Sequence, residues 1–378
     1  MAKRVIEASM AVALGAKLCK PAVIPMYPIT PQTHIVEYLA EFINDGNLNS
    51  EMIHAESEHS ALSACIGAQA TGVRTFTATS SQGLALMHEI LYITSGMRIP
   101  VVMAVANRAL SAPINIWNDH SDSMAERDSG WLQFYVESAQ EALDTVLIAY
   151  KIAENKKVLL PVMVCLDGFT LSHVFEPVDI PGQKQVDNFL PKYNPLYKLD
   201  PKKPLTMGPV GFPDSFMEFR KQQQDAMEIS RKIIEDIHTE FKNKFKRSYD
   251  FIETYKTEDA KTAIIALGSV CGTIRTVVDE LRKKGEKVGL IKIRCFRPFP
   301  EKELIEACKN LKSVGIIDRS SSPGYKSAVS SETGAALKNL NIIINDFIAG
   351  LGGRDITKQH IKKIFNSLNK KRETEWLM

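Results

Sequence analysis

Apolar residues Ile6, Met10, Leu14 and Leu18 recur at helical spacing near the start of the chain, which predicts an amphipathic first helix. An apolar run at 23–27 then reads as a strand. It leads into TPQTHIVEYLAEFINDG, residues 30–46, a predicted helix that turns Ile35, Leu39 and Phe42 inward and ends at Gly46. Residues 52–55 form a short expected strand ahead of SEHSALSACIGAQATG, whose small residues suit a tightly packed buried helix. The alternation continues with strand FTA, helix SQGLALMHEILYITSG and the strongly apolar strand PVVMAVAN. ESAQEALDTVLIAYKIAEN reads as a helix opened by a capping box of Ser138 and Glu141, and LPVMVCL closes the series as a strand. Such regular alternation implies parallel strands joined by right-handed helical crossovers, with helices on both faces of the sheet.

The pattern breaks over 189–214, FLPKYNPLYKLDPKKPLTMGPVGFPD, where Pro, Gly and Lys accumulate and predict a connecting segment instead of a core element. Residues 216–244 return to the helical period, with an apolar stripe through Phe219, Met227, Ile234 and Ile237 and a charged face expected to meet solvent or another domain. A second alternating series starts near Ala260: strand TAIIAL, a helix over 273–284 stopped by Gly285, strand VGLIKI, a helix over 301–311, and strands SVGIID and NIIIN. The expected organisation is an α/β domain over 1–250 and a smaller α/β domain over 258–378.

Composition narrows the function classes. With 378 residues, 44% of them hydrophobic and 24% charged, the chain has the make-up of an ordinary globular protein. The 47 Lys and Arg nearly balance the 44 Asp and Glu, so no basic surface for nucleic acid is expected. Glu7, Lys17 and Lys20 interrupt what could otherwise pass for a signal peptide, and no stretch approaches the ~18 apolar residues of a membrane span. A cytoplasmic protein without membrane contact is expected. The six cysteines are scattered, with no CxxC pair even at Cys295 and Cys308, which argues for buried reduced thiols over a local zinc or iron–sulfur site.

In parallel α/β sheets, ligands bind beyond the carboxyl ends of the strands. The residues there are Thr30, then Glu56, Glu58 and His59, then Ser80 and Ser81, then Asn107 and Arg108. Each also has a purely structural reading: Thr30 as an N-cap before Pro31, Glu58 as a first-turn carboxylate, Ser80 and Ser81 as caps, Arg108 as a solvated ion-pair partner. Asn118, Asp119, His120 and Asp122 have the composition of a metal site, but so dense a polar loop more often makes turn hydrogen bonds. No Walker A or GxSxG sequence occurs, and GLGGRD at 350–355 lacks the spacing of a dinucleotide-binding loop.

Whole segments, YPITPQTHIVEYLAEF, AESEHSALSACIGAQATGVRTFTATSSQGLALMHEILYI, VANRALSAPINIWNDHSDSMAERDSGW and VLLPVMVCLDGF, resemble the α subunits of multi-subunit pyruvate:ferredoxin oxidoreductases. The second segment resembles domains that hold the thiamine pyrimidine. ALGS, RPFP and DRSSSPG resemble the transketolase-C-terminal-like domain that follows. The resemblance implies thiamine diphosphate-dependent oxidation of pyruvate with coenzyme A to acetyl-CoA, carbon dioxide and reduced ferredoxin, or the reverse synthesis. It also implies that Thr30 and Arg108 contact the substrate carboxylate and carbonyl, and that Glu58 contacts the aminopyrimidine of the cofactor. The family holds the cofactor diphosphate and its Mg2+ with a GDG motif; here only Leu166-Asp167-Gly168 approaches it. The resemblance therefore implies that the diphosphate site, Mg2+ and the iron–sulfur clusters belong to partners: a β subunit, a γ subunit and a ferredoxin-like δ subunit. An α subunit acting on branched-chain 2-oxoisovalerate, and a non-catalytic scaffold subunit, are the alternatives.

Overall fold

Two largely parallel sheets organise residues 2–378, which the computed structural model describes. The first series runs β1 (Ala2–Glu7), α1 (Ala8–Cys19), β2 (Val23–Met26), α2 (Thr33–Asn44), β3 (Glu51–His54), α3 (Glu58–Ala70), β4 (Phe76–Thr79), α4 (Ser81–Leu86), α5 (His88–Gly96), β5 (Val102–Asn107), α6 (Ser121–Ala125), β6 (Leu132–Tyr135), α7 (Ala139–Ala153), β7 (Val162–Asp167), β8 (Phe175–Ile180), α8 (Gln183–Phe189) and α9 (Phe216–Phe245). The second runs β9 (Ile252–Tyr255), β10 (Thr262–Ala266), α10 (Val270–Arg282), β11 (Val288–Ile293), β12 (Cys295–Arg297), α11 (Glu301–Cys308), β13 (Ser313–Asp318), α12 (Ala328–Ala336), β14 (Ile343–Ala349), α13 (Lys358–Ser367) and β15 (Glu375–Leu377).

In the first sheet the order is β12-β6-β7-β5-β4, and the four strands of the first series are mutually parallel. Every residue of β5 and β7 is buried, as expected of central strands covered on both faces. β2 pairs in parallel with β3 and reaches the β4 side through a Val23–Thr75 bridge, so the parallel order extends to β3. The edge strand β12 comes from the second series and pairs antiparallel with β6. The second sheet has the order β15-β14-β13-β10-β11-β9, with only β9 antiparallel.

Several elements depart from the periodicity reading. The first helix starts at Ala8, Ile6 lies in β1, and α1 is buried on nearly all sides rather than amphipathic. It is wedged against α2 and α7, where a Cβ on Gly15 would come within 3.0 Å of the Leu143 carbonyl oxygen and of the Val146 Cβ. Tight helix contact, not solvent, explains the run of small residues. The predicted helix at 81–96 is two helices that meet at Met87. Phe189 ends α8 and is fully buried, and Leu190 is buried after it, so the connecting segment leaves the core two residues later than expected. In α9, Ile234 and Ile237 are buried as predicted, whereas Phe219 is 43% exposed because the first turns of that helix run beyond the core.

The two sheet layers are braced by ions drawn from both. Glu141 on α7 accepts a 2.7 Å bond from Lys292 on β11 and also pairs with Arg294, and Arg231 on α9 donates from Nη2 to both carboxylate oxygens of Glu303 on α11, each at 2.7 Å. The capping box at α7 is half formed: Ser138 accepts from the Glu141 N–H, but Glu141 bonds the Glu137 N–H instead of that of the cap. Among the described residues, no helix is long and apolar enough to cross a membrane.

Candidate active site at the carboxyl edge of the first sheet

Glu58 is the first residue of α3, placed there by the Ser57 cap, whose hydroxyl accepts from the Ser60 N–H at 3.2 Å. Its side chain is 6% exposed, and among the described residues no other side chain hydrogen-bonds its carboxyl group. Burial raises its pKa above the ordinary glutamate value, opposed only in part by its own backbone N–H. Gly83 on α4 makes room for it: a Cβ there would stand 2.5 Å from Glu58 Oε1 and 2.6 Å from the hydroxyl of Thr79, itself buried without a partner. Glu56 differs in every respect. It is exposed and hydrogen-bonded by Ser60, which lowers its pKa.

Arg108 and Thr30 meet directly. Past the end of β5, the guanidinium donates through Nη1 to the Thr30 carbonyl and through Nε to the Asn115 carbonyl, each at 2.9 Å. It is 6% exposed and, among the described residues, has no carboxylate in ion-pair contact. Arg108 is thus not the solvated ion-pair partner that local pattern allows. A buried guanidinium with donors to spare is a ready receptor for a carboxylate, which it can hold through two parallel charge-assisted bonds. Thr30 is not an N-cap either, since α2 begins at Thr33 after Gln32; Thr30 is exposed, and its carbonyl serves Arg108.

Asp122 ties this edge together. Its fully buried carboxylate accepts from the Asn107 side chain at 2.7 Å and from the backbone N–H groups of Ser81 at 2.9 Å, Arg108 at 3.0 Å and Ser123 at 2.7 Å. Burial pushes its pKa up to about 6 against these four donors. Ser80 and Ser81 do not cap α4 with their side chains; their hydroxyls donate to the Ala106 and Ala109 carbonyls and stitch α4 to the end of β5. Glu58 therefore connects to Arg108 indirectly, through Gly83 on α4 and then Ser81 and Asp122, with no direct bond between them.

The polar loop weighed as metal ligands makes turn and interlayer bonds instead. Asp119 accepts from Ser121 and from the Gly352 N–H, and His120 Nε2 bonds Asp167 Oδ1 at 2.7 Å. Among the described residues, no three His, Cys, Asp or Glu side chains are grouped to hold a metal ion. Asp167 also accepts from Ser269 and from Arg319 of the second sheet layer, and the Arg319 and His120 charges hold its pKa well below the usual carboxylate range. Sequence reasoning missed this knot; the one signal was the aspartate in Leu166-Asp167-Gly168, which reads only as an incomplete motif.

Residues 14–239 match the family described as "Pyruvate flavodoxin/ferredoxin oxidoreductase, thiamine diP-bdg". The chain belongs to the pyruvate:ferredoxin oxidoreductase family. Residues 260–361 match "Pyruvate:ferredoxin oxidoreductase core domain II". Pyruvate synthase subunit PorA of Methanothermobacter thermautotrophicus is 55% identical over 378 residues, covering 100% of this chain and 98% of the relative. The corresponding subunit of Methanocaldococcus jannaschii is 56% identical, covering 97% and 95%. Ketoisovalerate oxidoreductase subunit VorA of Pyrococcus horikoshii is 44% identical, covering 99% and 97%. Among solved structures, the 2-oxoglutarate:ferredoxin oxidoreductase of Magnetococcus marinus superposes with a TM-score of 0.74 at 18% identity, covering 96% of this chain and 65% of that one. A split-gene transketolase superposes at 0.54 with 13% identity, covering 96% and 99%. These two likenesses describe the fold.

Proposed function

We propose that this chain is the α subunit of a pyruvate synthase, a thiamine diphosphate-dependent enzyme that interconverts pyruvate with acetyl-CoA and carbon dioxide using coenzyme A and ferredoxin. The observation that carries the reading is the pair of buried, unspent charges at one sheet edge: Glu58 without a side-chain partner and Arg108 without a carboxylate. Burying such groups costs stability, so a scaffold subunit would have no physical reason to keep them.

Glu58 fits the pyrimidine end of thiamine diphosphate. Its raised pKa and the clearance left by Gly83 suit a carboxyl group that shares a proton with a ring nitrogen. When bound, the cofactor supplies the carbon nucleophile and the electron sink for decarboxylation. Arg108, oriented by the Thr30 and Asn115 carbonyls, holds the substrate carboxylate, and Thr30 stands beside it. The diphosphate and Mg2+ are assigned to a β partner because this chain has no GDG motif, and the iron–sulfur clusters to β, γ and ferredoxin-like δ partners because its six cysteines are scattered. An open groove of about 1070 Å3 bordered by Tyr92, Leu196, Tyr197, Phe216 and Phe219 lies on another face of the chain, at the start of α9, and does not include Thr30, Glu58 or Arg108. We place residues 1–250 in the cofactor-facing domain and 258–378 in the bracing domain. The six unpaired, buried cysteines suit a reducing cytoplasm.

Copurification followed by kinetics tests the proposal. The chain should copurify with a subunit carrying GDG and clustered cysteines, and the complex should prefer pyruvate to 2-oxoisovalerate in kcat/KM. Preference for 2-oxoisovalerate would assign it to the branched-chain enzymes, and absence of 2-oxoacid activity in a complete complex would leave a scaffold.

A further inference from the structure

The GLGGRD segment, which does not fit a dinucleotide loop, lies against the loop that follows Arg108. We infer that the Gly352-Gly353 turn of the second sheet layer is a latch on the 109–120 loop, and that through Asn115 it sets the orientation of the Arg108 guanidinium. Asn115 is thus a positioning residue for substrate. The inference rests on the reading of Arg108 as the carboxylate receptor.

Three hydrogen bonds close the latch. The Asn115 side chain donates to the Gly352 carbonyl at 3.1 Å, the Gly352 N–H donates to Asp119 Oδ2 at 3.1 Å, and the Gly353 N–H donates to the Asn118 carbonyl at 2.6 Å. Both backbone polar groups of Gly352 are therefore spent on this one loop. The turn requires glycine twice over, with φ of +57° at Gly352 and +81° at Gly353. Space gives the same answer: a Cβ on Gly352 would meet Asn115 Nδ2 at 2.6 Å, and one on Gly353 would meet the Trp117 Cβ at 2.4 Å.

The loop end of the latch is equally determined. Asn115 Oδ1 accepts from the Trp117 N–H at 2.7 Å while its amide faces Gly352, so one side chain locks both the local turn and the contact between layers. The Ala109 N–H donates to the Trp117 carbonyl at 3.0 Å and closes the loop at its base. What this holds in place is the Asn115 carbonyl, one of the two acceptors that, among the described residues, fix the plane of Arg108. A planar donor fork binds a carboxylate well only at the right tilt, so moving one acceptor turns the fork. The second layer thereby acts on substrate binding without touching substrate.

The test uses the assembled complex. Asn115→Ala removes both side-chain bonds, and Gly353→Ala pushes the turn off Trp117. Each should raise pyruvate KM roughly 10-fold, the worth of about one lost hydrogen bond, with kcat at saturating pyruvate and the KM for coenzyme A nearly unchanged. Because the effect runs through Arg108, the double variant Arg108→Lys with Asn115→Ala should be little worse than Arg108→Lys alone. Arg231→Ala loosens the layers elsewhere, at Glu303, and should leave pyruvate KM as it is. If Gly353→Ala does not fold, Asn115→Ala decides the matter alone. An unchanged pyruvate KM in Asn115→Ala, an equal rise in Arg231→Ala, or full additivity with Arg108→Lys while that variant itself raises KM, overturns the latch and leaves the Arg108 reading standing. If Arg108→Lys itself leaves pyruvate KM unchanged, the reading of Arg108 falls and the latch with it.

Discussion

A largely buried carboxyl group with no side-chain partner weakens the fold that holds it in its charged form, and Glu58 is such a group, helped only by its own backbone N–H. Its folded pKa is raised, so the favourable state is the protonated one, and stability is lost as pH rises through that raised value. Glu58→Gln should therefore melt at a higher temperature than the parent chain at neutral pH. The two should converge below the ordinary glutamate range, which thermal melts across pH will check. In the assembled enzyme the same substitution should cost ~100-fold to 10,000-fold in pyruvate oxidation, because glutamine keeps the shape but relays no proton. Glu56→Gln, at an exposed position hydrogen-bonded by Ser60, should leave the rate unaltered; equal losses in both variants would remove Glu58 from the mechanism. Arg108→Lys replaces a planar fork by a point charge. It should raise pyruvate KM at least ~10-fold while thiamine diphosphate binding by the complex stays the same, measured by steady-state kinetics beside calorimetry.

Helices and strands here are placed by their charges as well as their apolar faces. Glu141 lies in the first turn of α7 yet faces Lys292 and Arg294 of the other layer, which hold its pKa down to about 2 despite burial. Its contribution to stability is present above the ordinary glutamate pKa and is lost as pH falls through about 2. Glu141→Gln leaves Lys292 wholly buried with, among the described residues, Glu137 at 3.3 Å and Glu253 at 3.9 Å to balance it. A loss of ~3–5 kcal/mol is expected in denaturant melts at neutral pH. The difference from the parent should narrow in acid, since both then lack the carboxylate. Periodicity located α7 and its Ser138 cap, but it had no means to show where Glu141 points. The same holds for α1, where Met10, Leu14 and Leu18 repeat at helical spacing although the helix is covered on nearly all sides and Ile6, at the same spacing, lies in β1: a period reveals which residues align, not how many neighbours surround them.

At the scale of the whole molecule, the site occupies one edge of one sheet, and the second layer reaches it only through loops. On the proposed reading Glu58 and Arg108 face a pyrimidine and a carboxylate, while the sequence carries no GDG motif for a metal-bound diphosphate. Calorimetry on the isolated chain should accordingly detect weak or no binding of thiamine diphosphate with Mg2+, and binding should tighten when the GDG-bearing subunit is added. Tight binding by the chain alone would remove the half-site reading. The sequence by itself determined the alternation of strands and helices, because apolar periodicity is a local property of consecutive residues. It also placed Thr30, Glu58 and Arg108 at strand ends, because in a parallel sheet chain direction alone assigns the carboxyl edge. Tertiary structure alone decided the rest: that Arg108 rests on the Thr30 and Asn115 carbonyls, that Asp122 gathers Ser81, Asn107 and Arg108, and that β12 returns from the second series to the first sheet. Those contacts join residues far apart in the chain, and which of them form depends on how the two sheets pack, a property that no local pattern carries.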